Sequence, residues 1–526
     1  MTLESILKLL SKSSPYSVST LSKSRDEFYV IKQYLYEKSP IETDFNNALS
    51  RASNGSVNFL CGSSGDGKSE ILTRCAEVNS DIDFHLDATH SASQHTSAVA
   101  SLNEAFTKHK SNNKKMAVGI NIGMMQKFIK YGSNEHNDIK NSMRMFFENR
   151  HVKGYSYDRF TFYDFESYPR LNFENNDITS DFTSKFLTKL TTQNSANPFW
   201  VAYEQSNKET QVAKNFLLLG QDSFKTQLIN LFGLAKLYKE QFLTPRTLID
   251  YIYQILTFKN QSIFNNVFTL FDNDLSKKIY CYDPVLSDGI RIDDFKLKYS
   301  LGLLDDSLNN DIQKLEKKYG NFNNSDEVLR LVYFIKNEVK EVELCNFLDE
   351  AYRNNVLLDY LELYNLTRQN ALSYEQLDKI EDIIYSKVIK GIKLFANRIC
   401  PQFNDDYLLI RKIEGNYVGV KAQIEIDLDN ILQKNNSHSD TISVDLIIND
   451  EEVYKLDLDI NLFDLLVKIV NGYYPNMQKK TNVLILEDIV EKILEKSSNS
   501  KKLVIFNSDN FLTIENKERK YVVEYS

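Results

Sequence analysis

The chain has 526 residues, 42% of them hydrophobic and 26% charged, an ordinary globular composition on a length that exceeds one core. A formal net charge of −9 removes any overall electrostatic case for nucleic-acid binding, and five scattered cysteines with no C-x-x-C pair argue against a disulfide framework and a structural zinc site. No apolar run is long enough to span a bilayer and the first residues lack a signal-peptide core, so about three or four domains in a reducing cytoplasm are expected. Residues 1 to 50 read as a helical entry segment: LESILKLL has helical spacing, and Phe28, Ile31, Tyr34 and Leu35 share one helical face. Two serine-rich pieces, SKSSPYSVSTLSKS and SRASNGS, supply turns, and the second leads into an apolar run.

That run opens the stretch Val57 to Leu72, VNFLCGSSGDGKSEIL, in which a strand, a glycine-rich turn and an amphipathic helix follow one another. Gly62, four further residues and then Gly67, Lys68 and Ser69 satisfy the G-x-x-x-x-G-K-[ST] pattern of a nucleotide-binding P-loop in the setting that pattern requires. Glycines let successive N–H groups turn inward on phosphate oxygens, and the helix N-terminus adds partial positive charge. The expected cradle is therefore Gly62, Ser63, Ser64, Gly65, Asp66, Gly67, Lys68, Ser69 and Glu70, with Lys68 on the outer phosphates of ATP and the Ser69 hydroxyl on Mg²⁺.

Beyond the turn, IDFHLDAT reads as a strand ending at Asp87, a helix covers Ala98 to Lys108, and KMAVGINIGMMQKF reads as a buried strand turning into a helix near Asn121 and Gly123. A further strand, DRFTFYDFESY, carries Asp164 and Glu166 near its end. Strands alternating with helices predict a parallel sheet, and ligands of such sheets lie beyond the carboxyl ends of the strands. Hydrolysis needs an acid that orients the metal, but the strand at the usual distance ends in Asn121. Asp164 and Glu166 are the better pair, because strand alternation places both on one face, with Asp164 a metal ligand beside Ser69. Ordinary strand-end acids read the same way, and Asn121 suits a polar sensor of the terminal phosphate.

From about Asn215 the pattern turns helical, through NFLLLGQDSFKTQLINLFGLAKLY and PRTLIDYIYQILTF to about Arg398. Thr244, Pro245 and Arg246 form a helix start, and Arg246 at that first turn is a candidate sensor that bridges lid and nucleotide; a solvated surface arginine is the plainer alternative. After Gln402, short alternating segments with two interspersed helices predict an α+β domain. Three side readings are weaker. His85, His90 and His95 recur at a spacing that suits neither helical nor strand ligation of a metal, and Asp294 with Lys296 only loosely resembles a nuclease acid–lysine set after Asp283 and Asp288. Lys108, Lys110, Lys114 and Lys115, like Lys479 and Lys480, read as solvated basic faces.

Taken together, FLCGSSGDGKSEIL, FHLDATHS, VGINIGM, NPFWVAY, LTPRTLIDYIYQIL and NGYYPN resemble the DptF family, the ATPase components of bacterial DNA phosphorothioation-dependent restriction systems. The resemblance covers most of the chain in pieces. It implies a part in antiviral defense, restricting DNA that lacks the host's phosphorothioate marks together with partner nuclease or helicase proteins. The expected architecture is multidomain α/β and α+β: a helical segment at 1–50, an AAA+-like or STAND-like P-loop NTPase parallel-sheet core at 51–235, a helical lid and bundle at 236–400, and an α+β C-terminal domain at 401–526. Catalytic roles fall on Lys68, Asp164, Glu166 and Arg246, with slow or partner-stimulated turnover. A nucleotide-gated switch with little turnover and a nuclease with its own active site are the competing classes. DNA is expected to be reached through the complex, and a homo-oligomer is compatible with the sequence.

Overall fold

The structure is a computed structural model that describes residues 2–14, 27–86, 97–150, 152–287, 290–336, 343–349, 352, 355–369, 371–403, 407–435, 440–449, 452–475, 480–497, 502–507, 510–517 and 520–525. The chain forms two compact units, one of Met1–Asn172 with Ile178–Arg353, the other of Phe173–Asp177 with Asn354–Ser526. The entry segment thus falls inside the first unit, and the helical run expected at 236–400 is divided between the two. Among the described residues no helix is long and apolar enough to cross a membrane.

The first unit is built on a five-stranded sheet of β1 (Val57–Gly62), β2 (Ile82–His85), β3 (Lys115–Asn121), β4 (Tyr155–Tyr157) and β5 (Phe160–Asp164) in the order β2-β3-β1-β5-β4. All neighbours run parallel except β4, which pairs antiparallel with β5. Every residue of β1 is buried, as a central strand covered on both faces requires. Alternation sorts its side chains. Val57, Phe59 and Cys61 join Met116, Val118, Ile120, Phe160 and Phe162 on one face, under helices Ala98–Asn112, Ile122–Tyr131 and Asn137–Glu148. Leu60, Ala117 and Tyr163 point the other way, against helices Pro40–Arg51 and Lys68–Val78. The result is three layers with the sheet in the middle.

Two buried histidines sit in this unit. His109 Nε2 lies 3.2 Å from the Gly55 carbonyl and His136 Nε2 3.1 Å from that of Asn103, and burial pushes both imidazoles below the usual 6.5. An unfolded chain therefore takes up protons near pH 6.5 that the folded chain refuses until lower pH, so folding is disfavoured as pH falls through that window. Urea midpoints measured between pH 7.5 and 5.5 are expected to fall with pH, and the slope is expected to flatten in the His109→Gln, His136→Asn double variant.

The second unit holds two antiparallel sheets. Strands β6 (Tyr407–Ile413), β7 (Asn416–Lys421), β11 (Lys502–Asn507), β12 (Asn510–Lys517) and β13 (Lys520–Tyr525) form one in the order β13-β12-β11-β7-β6. The other is β8 (Ile424–Ile426), β9 (Ile442–Ile448) and β10 (Glu452–Leu458), in the order β10-β9-β8. Helices Asn355–Leu366, Ile460–Val470 and Lys480–Lys496 accompany them. The Tyr360 hydroxyl, fully buried, donates to the Leu458 carbonyl at the end of β10.

Candidate functional site

The glycine-rich turn leaves β1 where Gly62 pairs with Asn121 of β3 and Cys61 with Asp164 of β5, so it lies at the carboxyl ends of the parallel strands. Its glycines are there for backbone reasons. Gly65 and Gly67 hold φ of +87° and +98°, a region that side chains resist, and a Cβ on Gly62 would sit 2.7 Å from Asp66 Oδ2 and 2.9 Å from the Phe165 ring. Gly67 then caps helix Lys68–Val78 with no side-chain hydrogen bond of its own, at the positive end of the helix dipole. Lys68 is buried along its stem, and Nζ donates to the Ser63 carbonyl at 2.6 Å and the Gly62 carbonyl at 3.3 Å.

A cavity of about 430 Å³ opens on this turn. Residues 64–70 together with Asn121, Arg170 and Arg246 form its polar end, and the rest of its lining is mostly apolar, with Leu9, Leu10, Ile31, Leu35, Phe186 and Ile249 beside Lys12, Lys32 and Glu37. That pairing of one polar pole with apolar walls is what small-molecule sites use for orientation and burial. Asn121 Oδ1 is buried there with no hydrogen-bond partner among the described residues, although a buried acceptor ordinarily has one. Ser69 is half-buried and lines the same cavity. Arg246 occupies the first turn of helix Pro245–Thr257, which Thr244 caps through its hydroxyl, and Arg246 Cβ would be 3.3 Å from a Cβ on Gly65. The structure thus brings the turn, Asn121 and Arg246 to one cavity.

It treats the expected acid pair differently. β5 ends at Asp164, and Glu166 lies beyond it in the short turn Phe165–Ser167, so strand alternation does not align the two. Arg150 joins them instead: its Nε donates to Asp164 Oδ2 at 2.6 Å, and Nη2 lies 2.8 Å from Glu166 Oε2. Asp164 is 2% exposed, and its burial raises the carboxyl pKa against the lowering pull of Arg150. Neither acid lines the cavity. Glu70 does line it, but its carboxylate is taken by Lys32 at 2.7 Å and Arg74 at 2.9 Å, which fastens helix Glu27–Leu35 to the helix after the turn.

The remaining expectations scatter. Asp87, His90, His95 and Asp288 lie outside the described residues, as does Lys479. Asp283 is gripped by Arg330, Asp294 pairs with Lys298 at 2.7 Å, and Lys296 donates to the Val285 carbonyl at 2.7 Å, so those residues do not converge as a nuclease centre would require. Among the described residues no cluster of three or more His, Cys, Asp or Glu suits a metal. Of the basic face, Lys110 pairs with Asp138 and Lys115 with Asp81. Sequence reasoning missed Arg150 and Arg170, which stand in no motif, and the apolar walls, whose residues come from stretches far apart along the chain. No family model matches this chain, and neither a curated protein nor a solved structure matches it.

Proposed function

We propose that the first unit is a P-loop ATPase that binds ATP with Mg²⁺ and uses the nucleotide to control or power restriction of unmodified DNA, with partner proteins, in the cytoplasm. One observation carries the nucleotide reading: the glycine-rich turn opens on a 430 Å³ cavity whose polar end also holds the orphaned Asn121 Oδ1. The donor set fits a triphosphate. Lys68 supplies the cation and exchanges its loop carbonyls for phosphate oxygens, while the N-terminus of helix Lys68–Val78, which has no side-chain cap from Gly67, adds its partial positive charge. Mg²⁺, which keeps waters and substrate oxygens as most of its ligands, neutralises phosphate charge and needs from this chain little more than the Ser69 hydroxyl. Asn121 orients the terminal phosphate or the attacking water, and Arg246 closes on developing charge. The restriction role is supported by the motif resemblance alone. A second reading, a nucleotide-gated switch with little turnover, is favoured by the grip of Arg150 on Asp164 and Glu166, since those acids serve hydrolysis only once released.

Calorimetric titration with Mg-ATP and phosphate release with and without DNA test the proposal. The wild-type chain is expected to bind ATP and to turn it over slowly, faster with DNA and partners, and Arg246→Ala to lose roughly tenfold or more in turnover. Absence of ATP binding would sink the proposal; binding without stimulated turnover selects the switch.

A further inference from the structure

We infer that Arg170 is a positioning residue for the phosphate cradle that acts through Asp66, an inference that rests on reading the turn as a nucleotide site. Asp66 lies within the turn at 8% exposure, and its Oδ2 accepts the Ser63 N–H at 2.6 Å, which ties the entry of the turn to its exit. A carboxylate so placed fixes the curvature of the turn but sets a negative charge beside the place where phosphates would bind. Arg170 answers that charge. Its Nη1 donates to Asp66 Oδ1 at 3.0 Å and Nη2 to the Asp66 carbonyl at 2.9 Å, so one guanidinium grips both side chain and main chain of the same residue. The side chain is 17% exposed and held between the rings of Phe165, 5.1 Å away, and Phe182, 5.8 Å away.

Nη1 also donates to the Leu243 carbonyl at 3.0 Å. Leu243 precedes Thr244, the cap of helix Pro245–Thr257, and Thr244 Oγ1 would be 3.2 Å from a Cβ on Gly65. The same guanidinium therefore fixes the turn and the helix start that carries Arg246. Only arginine presents enough donors in one plane for these three acceptors. Removing it leaves a buried carboxylate unpaired, facing an incoming anion of the same sign, whereas removing both charges leaves neither problem.

A double-mutant cycle on the full chain tests this, read as Mg-ATP affinity by calorimetry. Arg170→Gln is expected to weaken binding on the order of tenfold or more, Arg170→Lys by an intermediate amount, and Arg170→Gln in an Asp66→Asn background by no more than about threefold. Equal losses in both backgrounds would mean that Arg170 touches the nucleotide itself and would overturn the inference, as would no loss in either. Hydrogen exchange of residues 62–70 in nucleotide-free protein supplies a second readout. Arg170→Gln is expected to speed exchange there while leaving β3 unchanged, and unaltered exchange would overturn the inference whatever ATP does. A wild-type chain that binds no nucleotide but shows faster exchange in Arg170→Gln would overturn the proposed function and uphold the clamp on the turn.

Discussion

Alanine at Lys68 is expected to weaken Mg-ATP binding by at least on the order of a hundredfold, the loss of a cation with charge-assisted bonds to phosphate at a shielded site. The fold should survive. Of the two loop carbonyls that lose a donor, water can reach that of exposed Ser63, while that of Gly62 is buried, which sets the cost at about 1–3 kcal/mol in unfolding free energy. Titration calorimetry beside a thermal melt separates the two effects, and ATP affinity equal to wild type would refute the assignment of the cradle. Carried into an assembled restriction system, the same variant asks whether the nucleotide matters: restriction that persists undiminished would defeat the proposed role.

Phe162→Ala is expected to be the most damaging single change for the fold. Phe162 of β5 stacks on Phe59 of β1 at 4.8 Å between ring centroids and on Phe146 at 4.7 Å, and all three rings are 0% exposed. Truncation removes the middle ring of that stack and leaves a cavity where sheet meets helix, at a cost of about 3–5 kcal/mol. Urea unfolding followed by far-UV dichroism measures it, and Phe162→Leu should recover part of the loss. A cost below about 1 kcal/mol would contradict the packing of this layer.

Much of the first unit was legible in the sequence because its signals are local. Continuous apolar runs announce β1 and β3, the glycines announce a turn whose φ values only glycine adopts easily, and Thr244-Pro245 announces a helix start that the structure places at Pro245. The failures concern partners that meet only in three dimensions. Asp164 and Glu166 are two residues apart, but the strand stops between them, and the arginine that joins them is 14 residues upstream of Asp164. Arg170 is 104 residues from Asp66, and no spacing rule reaches that far. The apolar cavity walls draw on the first helices as well as on residues near 180 and 249, each of which reads in sequence as an ordinary amphipathic face.

The anchoring of the first residues has a consequence for how the chain comes off the ribosome. The Lys12 N–H donates to Asp250 Oδ1 at 2.8 Å, across 238 positions, and Lys12 lines the cavity beside Leu9 and Leu10. At synthesis rates of about 5–20 residues per second, the segment that walls the cavity waits roughly ten to fifty seconds for its partner to emerge. In the last part of that interval, once β5 has been made as far as Asp164, the glycine-rich turn and its strand neighbours can be complete while the chamber beside them lies open. The anchor of the first segment is thus a late product of translation, and a nascent chain halted before residue 250 carries the turn while Lys12 still lacks its Asp250 acceptor.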